Sequence, residues 1–321
     1  MTVPVLLVAG ALGAGKTTLV NHLLRNPDGR RIAAIVNDFG AIDVDAALLA
    51  PAAEGIVSLK NGCICCSLEG DLLRTLVMLT RRRPCPDAIV IETSGAADPA
   101  SIMSALLDPM VFAATPLDTV VCVVDARQVA DRPALLEDSL WRSQLRAADF
   151  VIVTKPDLLA PSELEDVHSG IASRHGGKRT FTAIEGKVPS PLLFSQGHHV
   201  PAARPSLHAF DAAERFETMS WTANTPLSLP RFQRAVDALS SDLLRAKGFV
   251  TFDHQSDQPV LFQLVGRRVT LSPAAASGTG PMNRLVLIAE LGRLDRSKAT
   301  GLLDGAVTAL PRRDDRDPTA G

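Results

Sequence analysis

Between an apolar run, Val3–Ala9, and a stretch with helical spacing, Thr17–Arg25, the chain carries Gly10-Ala11-Leu12-Gly13-Ala14-Gly15-Lys16-Thr17. No other segment restricts the fold so tightly. Glycines in a strand-to-helix turn keep Cβ atoms out of its concave side, so backbone N–H groups point inward. A lysine and a hydroxyl residue then open the helix. Such a turn cradles phosphate, and it works only with a strand before it and a helix after it. The chain must therefore place a buried strand and a helix side by side from its tenth residue onward.

The rest of the first 185 residues repeats that alternation. Ile32–Val36, Ala88–Ile91, Thr119–Val124 and Phe150–Val153 are continuous apolar runs of strand length. Runs without polar alternation suit strands covered on both faces of a parallel sheet. Helical patterns lie between them at Gly70–Arg81, Pro99–Leu107, Pro133–Ala147 and Ser162–His175. The expected fold is α/β, a doubly wound, mostly parallel P-loop NTPase sheet spanning 1–186. Residues 187–213 read as a linker, with Pro189, Pro191, Pro201 and Pro205 close together. A smaller α+β domain is expected over 214–305, with strands at Arg215–Thr222, Phe249–Phe252, Val260–Val265, Arg268–Leu271 and Arg284–Ala289. Its helices are expected at Leu229–Arg245 and Arg296–Leu303. The polar tail, 306–321, is expected to lack fixed structure.

A chain of 321 residues is long enough for two domains. Its formal net charge of −2 gives no electrostatic case for nucleic acid or a membrane surface. No apolar run reaches the about 18 residues of a spanning helix, and Met1-Thr2-Val3-Pro4 lacks a basic leader. Of five cysteines, three crowd into Cys63-Ile64-Cys65-Cys66, which suits reduced thiols rather than a disulfide framework. Cytoplasmic localisation is expected.

The cradle residues Gly10, Gly13, Ala14, Gly15, Lys16, Thr17 and Thr18 are the candidates for the phosphates. Lys16 supplies charge at the β- and γ-phosphates, and the Thr17 hydroxyl is placed for Mg²⁺. Glu92-Thr93-Ser94-Gly95 leaves the strand Ala88–Ile91 at the same edge. Glu92 is the second candidate for Mg²⁺, and the Gly95 N–H is a donor for the γ-phosphate. Asp38, in Asn37-Asp38-Phe39-Gly40, is a candidate for magnesium, the attacking water or a second metal. Thr154-Lys155-Pro156-Asp157 follows Phe150–Val153 and bears on the base. A buried Asp157 accepts from both N1–H and the exocyclic amine of guanine, whereas adenine leaves it unpaired, so GTP is expected over ATP. The Lys155 stem is expected along the base, and Thr154 stands where guanine-reading motifs begin with Asn.

Cys63, Cys65 and Cys66 converge only if the chain turns, and Asn61-Gly62 beside them favours a turn. Three thiolates form a soft set for Zn²⁺ or Cu(I), with a carboxylate or imidazole completing the shell. Asp38, Asp43, Asp45 and Glu69 are the outside candidates. A redox role and an inert buried role remain alternatives for these cysteines. Cys85 and Cys122 read as bystanders, and Trp221 reads as core. His198, His199 and His208 read as solvated loop residues or a weak loading tract.

Together these residues resemble the CobW-like family of P-loop GTPases, which act as metal chaperones or metal-insertion factors. The resemblance rests on Gly10–Thr18, Asn37–Gly40, Leu59-Lys60-Asn61-Gly62-Cys63-Ile64-Cys65-Cys66, Glu92–Pro99 and Thr154–Asp157. Leu244–Phe249 and Arg284–Ile288 extend it into the second domain. It implies GTP hydrolysis with Mg²⁺, and Zn²⁺, Co²⁺ or iron carried at the cysteine motif to a client apo-metalloprotein. Asn37-Asp38-Phe39-Gly40-Ala41 stands where the family has Asn-Glu-Phe-Gly-Glu, so both acids differ. A P-loop phosphotransferase acting on a small metabolite, with structural cysteines, is the alternative. The metal, the client, the fourth ligand and whether the chain forms a homo-oligomer stay open.

Overall fold

The computed structural model describes residues 2–37, 56–59, 67–176, 178–194, 216–256, 258–273 and 281–308. The chain divides into two compact units, Met1–His208 and Ala209–Gly321. In the first unit the strands are β1 Val5–Gly10, β2 Ile32–Asn37, β3 Ile56–Leu59, β4 Ala88–Glu92, β5 Leu117–Asp125, β6 Phe150–Thr154 and β7 Thr180–Ala183. They form one sheet in the order β3-β2-β4-β1-β5-β6-β7. Every pairing is parallel. The helices between them are α1 Lys16–Arg25, α2 Ser67–Arg81, α3 Pro99–Leu107, α4 Pro109–Phe112, α5 Ala126–Asp131, α6 Ser139–Ala147, α7 Pro161–Arg174 and α8 Ser190–Leu193.

The physical reason for this architecture is visible in β1. Val5, Leu6, Leu7, Val8 and Ala9 are all at 0% exposure, so side chains pointing to both faces of the strand are buried. Val5 and Leu7 pack with Leu72 and Leu76 of α2 and Ile102 of α3. Farther along the sheet, Cys122 and Val124 pack with Trp141 and Leu145 of α6 and Val167 of α7. Because β1 pairs with β4 on one side and β5 on the other, strand order reverses at its carboxyl end. Open parallel sheets bind ligands at such a switch point.

Several boundaries differ from the sequence reading, each for a local reason. Pro133–Ala147 is not one helix. A 3₁₀ turn, Pro133–Glu137, ends at Asp138, whose carboxylate accepts from the Leu140 and Trp141 N–H groups and caps α6 afresh. Strands β3 and β7 have four residues each and sit at the sheet edges, too short to register as apolar runs. Helix α5 has only six residues, too few for a clear helical spacing, and Asp125 caps it through the Arg127 and Gln128 N–H groups. Within the stretch 187–213, Val188, Leu192, Leu193 and Phe194 are buried around α8.

The second unit holds an antiparallel sheet, β11-β10-β9-β12-β8, built from β8 Phe216–Ala223, β9 Leu243–Val250, β10 Val260–Val265, β11 Arg268–Pro273 and β12 Asn283–Glu290. Helices α9 Leu229–Ser240 and α10 Arg296–Asp304 contribute Phe232, Val236, Leu239 and Leu303 to one core with Met219, Trp221 and Leu287. The expected helix Leu229–Arg245 stops at Ser240. Leu243–Arg245 instead enter β9, which runs unbroken to Val250 and pairs with both β10 and β12. Two-sided strand pairing overrides a helical apolar spacing there. Trp221 is core as read, its Nε1 donating to Asp304 at 2.9 Å. Among the described residues no helix is long and apolar enough to cross a membrane.

Candidate functional site

The turn after β1 makes the floor of a cleft of about 780 Å³. Its walls include Gly13, Gly15, Lys16, Thr17, Thr18, Glu92, Gly95 and Lys155, so the structure gathers these sequence-predicted residues at one edge of the sheet. Gly13 and Gly15 have φ of 74° and 95°, the left-handed region where a side chain is strained. Gly15 is the N-cap of α1 and offers no side-chain cap, so the first N–H groups of a ten-residue helix face the cleft. Helix N-termini favour anions for that reason.

Lys16, 7% exposed, folds across the turn and donates to the Ala11 carbonyl at 3.0 Å. The Thr17 hydroxyl donates to Glu92 Oε1 at 2.7 Å, bridging the start of α1 and the end of β4. Glu92 is 3% exposed, so a carboxylate is held in the wall of the cleft beside a hydroxyl. Two hard oxygen donors at that spacing suit Mg²⁺. Gly95 lies against the cradle itself. A Cβ there would stand 2.6 Å from Leu12 N and 2.7 Å from Leu12 Cα, so only glycine permits the approach.

Four residues outside the sequence motifs hold this constellation together. Asp125, ending β5 and 3% exposed, accepts from Lys155 Nζ at 2.6 Å. Lys155 Nζ also donates to the Gly13 carbonyl at 3.1 Å, tying β5, β6 and the cradle into one clamp. Gln128 Nε2 donates to the Leu12 carbonyl at 3.3 Å. From α6, the buried Gln144 donates to the carbonyls of Gly95 and Ala97, and Ser143 donates to Asp98 at 2.7 Å. Asp125 was open to sequence reading, since it leaves its strand as Glu92 leaves β4. The glutamines carry no local signal.

The base motif departs from the sequence reading at Asp157. The Thr154 hydroxyl donates to the Ala14 carbonyl at 2.7 Å, so it braces the cradle. The ammonium of Lys155 is engaged by Asp125 and Gly13. Asp157 sits exposed in the 3₁₀ turn Pro156–Leu158 rather than buried. A water-exposed carboxylate can be solvated beside either base, which weakens the penalty assigned to adenine.

The candidates Asp38, Asp43, Asp45, Cys63, Cys65, Cys66, His198, His199 and His208 lie outside the described residues, as does the side chain of Glu69. Among the described residues no group of three or more His, Cys, Asp and Glu gathers as a metal site. Cys122 is 2% exposed, and burial pushes its thiol up to about 12, so it stays protonated and unreactive. Cys85 is half-buried, its thiol directed at the Thr80 carbonyl at 3.6 Å.

Comparison with known proteins finds similarity over nearly the whole chain. The nucleotide-binding domain described as CobW/HypB/UreG matches residues 4–182, and the C-terminal domain of the cobalamin synthesis protein cobW matches 216–307. A protein of a Sinorhizobium species named zinc chaperone CobW is 32% identical, over 96% of this chain and 97% of its own. The zinc chaperone YjiA of Escherichia coli is also 32% identical, over 83% of this chain and 86% of its own. A crystal structure of Zn(II)-bound YjiA GTPase from E. coli aligns with a TM-score of 0.47 at 26% identity, over 96% of this chain and 100% of that one. With a nucleotide-binding domain matched across the whole P-loop sheet and the companion C-terminal domain matched behind it, the chain belongs to the CobW family.

Proposed function

We propose that this protein is a GTP-hydrolysing metallochaperone. It binds Zn²⁺ through Cys63, Cys65 and Cys66, with Co²⁺ or iron as the other cargoes the site chemistry admits, and passes the ion to a client apo-metalloprotein in the cytoplasm. The observation that carries the nucleotide half of the reading is the Thr17–Glu92 bridge at 2.7 Å beside the cradle, two oxygen ligands suited to a cation next to phosphate. The names of the relatives, zinc chaperones with a matching nucleotide domain, support the cargo.

The chain's own residues divide the work as follows. The N–H groups of Gly13 to Thr18 and the start of α1 hold the phosphates, and the glycines let that backbone close on them. A triphosphate draws Lys16 from the Ala11 carbonyl, exchanging one neutral acceptor for a charged one. Thr17 and Glu92 hold Mg²⁺, which when bound neutralises charge on the β- and γ-oxygens. Gly95, fixed against Leu12 and anchored by Gln144, presents its N–H to the γ-phosphate. Asp38 orients the attacking water. Lys155 and Asp157 face the base, with Thr154 bracing Ala14 beneath it. The segment from Asp38 to the cysteines then carries the nucleotide state to the metal, as γ-phosphate contacts order switch segments elsewhere.

The direct test is phosphate release with GTP and with ATP, in wild type and in Cys65→Ala. The proposal expects GTP to be preferred, phosphate to appear without any acceptor metabolite, and Cys65→Ala to lose zinc transfer while it still hydrolyses GTP. Nucleoside diphosphate formation that requires an acceptor metabolite, and yields that metabolite phosphorylated instead of free phosphate, would replace it with the phosphotransferase reading.

A further inference from the structure

Helix α2 begins one residue after the cysteine motif and has two apolar faces rather than one. Leu72, Leu76 and Leu79 point into the core at 2% exposure or less. Leu73, Val77 and Met78 point the other way, with Val77 48% and Met78 44% exposed. An ordinary surface helix has one apolar stripe and a polar back, and among the described residues nothing buries the second stripe. It floors a groove of about 640 Å³ whose other lining residues are Arg74, Arg81 and Arg82. Among the described residues no lining side chain is acidic, and Arg74 also lies 3.4 Å from Asp71 on the same helix.

We propose that this groove docks an acidic, amphipathic helical segment of the client protein, an inference that rests on the chaperone reading. Apolar anchors of the segment fill the space beside Val77 and Met78, while its carboxylates meet the arginine rim. The charge pattern selects the occupant. A second copy docking through the same face sets Arg74, Arg81 and Arg82 against themselves, a like-charge contact. Position supplies the purpose, because at 1.5 Å rise per residue the groove spans about 9 to 21 Å from the start of α2, next to Cys66. A client held there has its own ligands within reach of the cargo.

The test uses the full-length protein and three dye-labelled 15-residue peptides read by fluorescence anisotropy. One is an amphipathic helix with leucine at i, i+3, i+4 and i+7 and glutamate elsewhere; the others are its scrambled sequence and its lysine counterpart. The acidic helix should bind at least tenfold more tightly than either control, and more weakly as salt rises. Val77→Glu and Arg81→Glu should each cost at least tenfold, and Arg81→Glu should improve binding of the lysine peptide. Equal binding of all three peptides, absence of acidic-peptide binding, or indifference to both substitutions would overturn the proposal. So would binding to phosphatidylserine vesicles, or self-association, that Val77→Glu abolishes. Both substituted side chains are exposed and remote from the cradle, so GTP hydrolysis and zinc affinity should be unchanged. Those two measurements on wild type report on the chaperone reading alone, so its failure is distinguishable from failure of the docking site.

Discussion

Gly95→Ala is the sharpest single perturbation of the nucleotide site. Gly95 does not occupy the left-handed region, so the substitution adds volume without backbone strain. The added methyl would lie 2.6 Å from Leu12 N, 2.7 Å from Leu12 Cα and 3.0 Å from Ala11 C, all backbone atoms that cannot rotate away. Ordinary contact begins at 3.4 Å, so the Glu92–Asp98 segment and the cradle must part by about 0.8 Å. Overpacking of this kind costs about 1–3 kcal/mol of stability. Its effect on turnover should be larger, because misplacing reacting groups by about 1 Å lowers rate on the order of 10²-fold. Single-turnover phosphate release from GTP with Mg²⁺ should therefore fall about 100-fold. GDP affinity should change only a few-fold, since GDP leaves the γ-phosphate position unused. Gly29→Ala is the control, with φ of 75° and nothing within 4 Å of the new methyl: it should lower melting temperature and leave kcat alone. Hydrolysis by Gly95→Ala within threefold of wild type would refute the placement of Gly95 at the γ-phosphate.

Three further outcomes follow from the geometry. Thr17→Ala and Glu92→Gln each remove one half of the 2.7 Å bridge, and both should lower turnover on the order of 10²-fold and blunt its dependence on added Mg²⁺; an unaltered Mg²⁺ titration would speak against the pair. Asp125→Ala removes a helix cap and releases Lys155, so it should cost about 1–2 kcal/mol in urea unfolding and raise the KM for GTP, whereas an unchanged KM would confine Asp125 to stability. Burial holds His22, His168 and His175 below the usual histidine value of 6.5. Below that value the unfolded chain takes up protons that the folded chain refuses, so stability should be flat above about pH 7.5 and fall as pH drops through 6.5. His175, donating to the Leu136 carbonyl, can be replaced by Gln, and His175→Gln should flatten the slope of melting temperature against pH.

What the sequence reveals here is mostly what short apolar runs and one glycine pattern can encode. The strand β1, buried on both sides, is legible because five consecutive apolar residues leave no polar face, and the cradle is legible because its glycines cannot be exchanged. Glu92 is legible because an acid ending an apolar run must emerge at the sheet edge. What escapes depends on distance. Gln144 reaches Gly95 across 49 positions, and Lys155 reaches Gly13 across 142, so neither contact has a local signature. The same limit explains Leu243–Arg245, whose helical spacing yields to pairing with strands on both sides. It also explains Thr154, where a motif position suggests a base contact but the hydroxyl finds the Ala14 carbonyl first.

The central claim is that nucleotide state and metal affinity are coupled through one chain. The most direct measurement is a zinc titration of protein loaded with a non-hydrolysable GTP analogue, against the same protein loaded with GDP. Coupling of about 1–3 kcal/mol would separate the two affinities by about 5- to 150-fold, and zinc must then shift GTP-analogue affinity by the same factor. Superimposable zinc titrations in the two nucleotide states would contradict it.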